Sequence, residues 1–240
     1  TFSFFFFLFI SCSDSNDKEF GTLELTIKGT YGCKALISGA SYNYFNKGTI
    51  ELTKSEFFMS TSRLLSESGV VALKDVDYIA LTDKQVDSAS AENGIKLTFT
   101  KIPAKEYTGL SFILGLSAQQ NATKPVDYLP TEPLGEGTHY WAGWNSYIFS
   151  KTEGIFNDGA NNFSFSYHSG FDDAKRTVSL LKDFEVLANQ TSRITMILEH
   201  EELFRSGSNG LDIPANPQIH NKSDVMNQMM DRYAAAFSLK

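Results

Sequence analysis

The chain has 240 residues, 42% of them apolar and 13% aromatic, with 28 acidic against 21 basic side chains and a formal net charge of -7. That balance, with no run of Lys or Arg anywhere, excludes a nucleic-acid partner, because neutralising phosphates takes clustered cations. Four histidines and two cysteines confine metal or redox chemistry to a handful of positions.

The chain opens on the apolar stretch Phe2–Ile10, then Ser11, Cys12 and the polar run Ser13–Asp17. The apolar block is about half the ~20 residues that a spanning helix needs, and it fits the hydrophobic region of an export signal. Ser11 is the small residue expected before a lipoprotein cleavage point. The pattern predicts a signal segment over 1–12 ending at a lipidated Cys12, a polar tether over 13–20, and a single domain over 21–240. The expected location is the outer membrane, on its periplasmic or cell-surface face, with the lipid as the only membrane contact. Cys33 is then left without a cysteine partner, and burial as a small apolar residue near a strand end accounts for it.

Short alternating segments follow. Leu23, Leu25 and Ile27 alternate with Glu24, Thr26 and Lys28, the period of a half-buried strand. The same period recurs in Ile95–Ile102 and in Tyr107–Leu116, where Leu110, Phe112, Leu114 and Leu116 share a face. It returns around Phe163, Phe165 and Tyr167, with Ser164, Ser166 and His168 opposite, then around Val178 and Leu180, and around Ile194, Met196 and Leu198. One wet and one dry face per strand call for two sheets packed face to face. The expected fold is all-β, an antiparallel β-sandwich with long loops and a C-terminal amphipathic helix. That helix is read from Val225, Met226, Met229, Met230, Tyr233 and Phe237 at helical spacing, with Ser223 or Asp224 as its cap. Its methionines are read as core filling rather than as soft copper ligands. His200, in Glu199-His200-Glu201-Glu202, reads as a solvated strand end, and His220 as a loop residue without evident chemistry.

The connection 118–144 is long and irregular, and loops of that length inside a domain are commonly functional. It ends in His139-Tyr140-Trp141-Ala142-Gly143-Trp144, which holds both tryptophans of the protein. His139 and His168 are the candidate metal ligands, since imidazole suits copper. Trp141 and Trp144 are the candidate modified or ligand-contacting aromatics.

Several blocks in order carry a family resemblance. They are Gly21–Leu25, Ile50–Ser60 with Arg63-Leu64, Pro103–Phe112, Trp144–Phe149 with Glu153-Gly154, and Phe165-Ser166-Tyr167-His168-Ser169-Gly170. Together these resemble the MbnP-like family of secreted copper-associated β proteins, which are paired with di-haem MauG-like peroxidases. The resemblance implies copper bound by histidines together with a kynurenine made from a tryptophan by that peroxidase. Indole nitrogen is a donor only, so a tryptophan has to be opened before it can coordinate. The chain departs from the family where Trp-x-Trp is usual, because two residues separate Trp141 from Trp144. It also has no histidine in Ser117–Asn121, where metal-binding relatives offer one.

Two other accounts of the tryptophans compete with the metal site. They pack one end of the sandwich, or they form a platform for a carbohydrate or partner on a surface lipoprotein without metal. A flat double platform requires a turn or bulge, which Gly143 can supply. Enzymatic chemistry is not expected. The chain contains no Gly-x-Ser-x-Gly elbow, no His-Glu-x-x-His pair and no glycine-rich phosphate loop, and Asp172-Asp173 is a turn pair with nothing to set it across a cleft.

Overall fold

A computed structural model describes residues 19–207, 209–220 and 224–240. The expected signal segment, Cys12 and the expected tether through residue 18 lie outside the described residues, as does Ser223. The long strands are β1 (Phe20–Tyr31), β2 (Thr49–Ser66), β3 (Gly69–Ala80), β4 (Ile95–Pro103), β5 (Lys105–Leu114), β6 (Ser146–Asn157), β7 (Asn162–Gly170), β8 (Arg176–Val186) and β9 (Thr191–Glu199). The short β10 (Phe237–Leu239) closes the chain after the C-terminal helix Asp224–Ala235.

The first sheet runs β10-β9-β1-β4. All its long pairings are antiparallel except β1 with β9, where Thr22 pairs with Thr191 and Thr30 with Glu199 in parallel register. The second sheet is built on β2. Its first half pairs with β6, from Thr49↔Asn157 to Phe57↔Ser150, and its second half with β5, from Met59↔Leu114 to Leu65↔Gly109. β3 also pairs with β2, β8 joins β5, and β7 joins β6. The register of β2 slips between Ser60 and Arg63, where Thr61 adopts φ +51°. An extra residue at that point bends the strand, which lets one strand serve two neighbours in succession.

The alternation read in the sequence is the alternation of burial. Leu23, Leu25 and Ile27 of β1, Leu110, Phe112 and Leu114 of β5, and Ile194, Met196 and Leu198 of β9 belong to one core with Phe57 and Met59 of β2. The C-terminal helix adds Met226, Met229, Met230 and Tyr233 to that core. It ends at Ala235, earlier than its periodicity suggested. Phe237 is already on β10, paired with Leu198, and its ring meets Phe57 at 5.4 Å and Phe112 at 5.2 Å.

Two expectations are corrected. Cys33 is exposed: it follows Gly32 in a tight turn after β1, both at positive φ, and such a turn directs its side chains outward. His200 is fully buried. Glu199 caps the short helix His200–Phe204 by accepting from the Glu201 N–H, and this turn of helix rotates the imidazole inward.

Candidate functional site

The outer face of β6 and β7 carries the polar positions of both strands. Across the ladder Ser166 faces Glu153 and His168 faces Lys151. The short ladder Gln218–Ile219 runs parallel to β7, with Ser166↔Gln218 and Tyr167↔Ile219. The next residue, His220, is thereby set beside His168. Their rings stack at 4.6 Å with an interplanar angle of 19°. His220 is therefore a site residue that sequence reasoning missed. Its only sequence signal is the apolar Ile219 before it, too short a run to mark a strand.

The tryptophans reach this pair from a tight hairpin. Trp141 pairs with Ser146, and Tyr140 with Tyr147. The Trp144 N–H donates to the Trp141 carbonyl at 3.0 Å, and Asn145 takes φ +49°, a left-handed position that asparagine tolerates well. The turn brings the two indoles face to face, 4.5 Å apart at 18°. Two glycines clear the space for them. A Cβ on Gly143 would stand 3.1 Å from Trp141 Nε1, and one on Gly170 would stand 2.8 Å from the Trp144 ring. Trp141 meets both imidazoles edge to face, His220 at 5.5 Å and His168 at 6.2 Å. Trp144 stands behind it against Phe171, at 5.0 Å.

The polar contacts are specific. His168 Nε2 lies 2.7 Å from Glu153 Oε1 and 3.2 Å from Ser166 Oγ, while His220 Nε2 lies 3.0 Å from the same hydroxyl. His168 Nδ1 is buried and has no hydrogen-bond partner among the described residues. Burial holds the His168 imidazole below its ordinary range, opposed by the hydrogen bond to Glu153 and assisted by His220. Burial also lowers His220. Burial favours the neutral form of both rings, in which one ring nitrogen carries a lone pair. A cleft of about 390 Å³ lined by Thr53, Glu153, Ser166, Pro217 and Gln218 opens beside them. A larger hollow of about 780 Å³ lies under the long connection, against Thr61 and Asp75, without histidine in its lining.

His139 does not join this group. Its ring stacks on Tyr78 at 3.5 Å and meets Phe58 edge-on at 5.6 Å, with Nδ1 3.2 Å from the Pro133 carbonyl. Burial lowers its pKa as well. Lys151 Nζ donates to the Thr138 carbonyl at 3.0 Å and pairs with the buried Glu56 at 3.5 Å. Tyr147 donates to the Leu134 carbonyl at 2.8 Å. His139 therefore helps to fasten the connection that carries the tryptophans, and it is not set among the residues that surround them. Of the four residues singled out from sequence, the structure gathers Trp141, Trp144 and His168, and it exchanges His139 for His220.

What the corner can do follows from its donors. Two neutral imidazoles can hold a transition metal, and the unpartnered Nδ1 of His168 fits that use. They are one ligand short, since among the described residues no three His, Cys, Asp or Glu side chains are grouped to hold a metal ion. The stacked indoles cover one another's faces, so they do not form the flat double platform that a sugar would need.

The fold and the corner define a mostly-β sandwich protein with an aromatic-histidine site on its outer face. The MbnP family model matches residues 20–227, and the chain belongs to that family. Among solved structures, MbnP from Methylosinus trichosporium superposes with a TM-score of 0.57 at 12% identity, over 92% of this chain and 98% of that one. No curated protein matches the sequence.

Proposed function

We propose that the protein is a non-enzymatic, copper-handling member of its family, with His168 and His220 as protein ligands and Trp141 as the residue that completes the site after oxidation. One observation carries the reading: Trp141 lies against both stacked imidazoles, where two neutral nitrogen donors lack a third. Copper suits imidazole donors. Opening the indole of Trp141 to kynurenine supplies an aniline nitrogen and a ketone oxygen where the intact ring offers no lone pair. Trp144 is one ring further from the histidines, so this reading assigns the modified position to Trp141. The oxidant is a partner protein of the di-haem peroxidase class. The opening segment supports lipid anchoring through Cys12 and residence at the outer membrane.

Intact-mass and peptide mass spectrometry on protein from its native host, with metal analysis of the same sample, tests the reading. Loss of one carbon and gain of one oxygen on Trp141, with stoichiometric copper, is the expected result. An unmodified Trp141 in copper-loaded protein removes the oxidation step, and metal-free, unmodified protein removes the copper reading altogether. Cys12→Ala should leave the precursor unprocessed and without lipid, and normal processing and membrane retention of that variant would refute the anchor.

A further inference from the structure

We propose that Glu153 is the positioning residue of this corner: it holds the Nε2 proton of His168 and leaves the lone pair on Nδ1, the atom that takes the metal. The inference rests on the metal reading above. It begins in the ladder. Glu153 faces Ser166, and His168 faces Lys151, so Glu153 and His168 are diagonal neighbours on one face of an antiparallel pair, within reach of long side chains. The cross-strand partner of Glu153 in β2, Lys54, gives its ammonium to Glu56 at 3.0 Å. The Glu153 carboxylate turns to the imidazole, with Oε1 2.7 Å from Nε2.

An ionised carboxylate accepts and cannot donate, so a bond of this length puts the proton on Nε2. Ser166 Oγ, at 3.2 Å, adds a second oxygen around the same nitrogen. The neutral ring then carries its lone pair on Nδ1, the buried atom without a partner among the described residues. A buried ring nitrogen left bare while its sibling is doubly provided for is out of keeping with an imidazole that serves packing alone. It is the arrangement of a metal-binding histidine, whose other N–H is fixed by a carboxylate that orients the ring and raises its basicity. On this assignment Glu153 stands outside the ligand set, and the metal sits on the Nδ1 side of His168.

Nitrogen-15 NMR of the metal-free full chain, labelled at the histidine rings and assigned with a His168→Gln variant, reads the tautomer directly. The expected spectrum at neutral pH shows an Nε2-bound proton and a pyridine-like Nδ1 for His168. A proton on Nδ1 overturns the proposal. Glu153→Ala should release the tautomer to a mixture and weaken Cu(I) binding about 10- to 100-fold with the unfolding midpoint unchanged. Glu153→Gln, which keeps an acceptor oxygen, should recover part of the loss. X-ray absorption showing a carboxylate bound to copper in the wild-type chain would make Glu153 a ligand and overturn the positioning role. A wild-type chain that binds no Cu(I) overturns the metal reading and with it the role of Nδ1, while the tautomer spectrum still decides whether Glu153 holds the ring.

Discussion

His200 and His168 are both imidazoles at the ends of sheet strands, and they are provisioned in opposite ways. His200 is fully buried, with Nδ1 3.0 Å from the Thr30 carbonyl and Nε2 2.6 Å from Ser55 Oγ. A carbonyl only accepts, so Nδ1 carries the proton and Nε2 accepts from the serine hydroxyl. Both ring nitrogens are spent, and the ring serves as a tie between β1, β2 and the short helix that follows β9. His168 has oxygens crowded at Nε2 and, among the described residues, no partner at Nδ1. Burial alone does not separate these two histidines; the completeness of their hydrogen bonding does.

The most severe test of this contrast is a pair of alanine variants. His200→Ala leaves the Ser55 hydroxyl and the Thr30 carbonyl unpaired around a new cavity, and should lower unfolding stability by about 3 kcal/mol. Copper stoichiometry of its folded fraction should be unchanged. His168→Ala should abolish stoichiometric Cu(I) binding at a stability cost under about 1 kcal/mol. Urea unfolding and Cu(I) titration of both variants check this, and equal stability losses would erase the distinction.

Acid should separate the two regions next. The His200 pKa is pushed down to about 4 by burial, against an ordinary value near 6.5. Below pH 6.5 the unfolded chain takes up a proton that the folded chain refuses, so stability is whole above that pH and declines as the pH falls towards 4. The loss is of order 3 kcal/mol across the window. Unfolding midpoints at pH 7 and pH 4.5 should show it, and a flattened profile in His200→Ala would assign it.

Smaller effects follow from packing and surface charge. Gly170→Ala would press its Cβ on the Trp144 ring and the Tyr147 carbonyl, at 2.8 and 2.9 Å. About 1–2 kcal/mol and the near-ultraviolet dichroism of the stacked indoles should be lost together. Glu24 pairs with Lys96 and Arg193 on the exposed face of the first sheet, at 3.4 and 3.3 Å. Glu24→Gln should cost less than about 0.5 kcal/mol, with no change at the corner.

The sequence revealed those strands that bury only one face. β1, β4, β7 and β9 alternate because solvent reaches their other side, whereas β5 buries Gly109 through Phe112 in succession and β2 breaks the period with Phe57, Phe58, Met59 and Ser60 all buried. Its outer face is covered by His139 of the connection and Tyr147 of β6, both against Phe58, so both faces read as interior. Trp141, Trp144 and His168 were legible as unusual residues near turns and strand ends. His220 was not, because its place comes from a two-residue parallel ladder with a strand far earlier in the chain. Cys33 and His200 misled for one reason: a single turn of backbone, tight in one case and helical in the other, reversed the direction their neighbours implied.

The parallel pairing of β1 with β9 bears on the order in which the protein can form. Thr22 pairs with Thr191, whereas the long antiparallel neighbour of β1, β4, begins at Ile95. β1 therefore gains its parallel neighbour only after most of the described chain has been made, and contacts this distant in sequence close slowly. The hairpins β2–β3 and β6–β7 pair residues close in sequence and do not wait for it. Closure of the first sheet should therefore be a late step in folding, following those local hairpins.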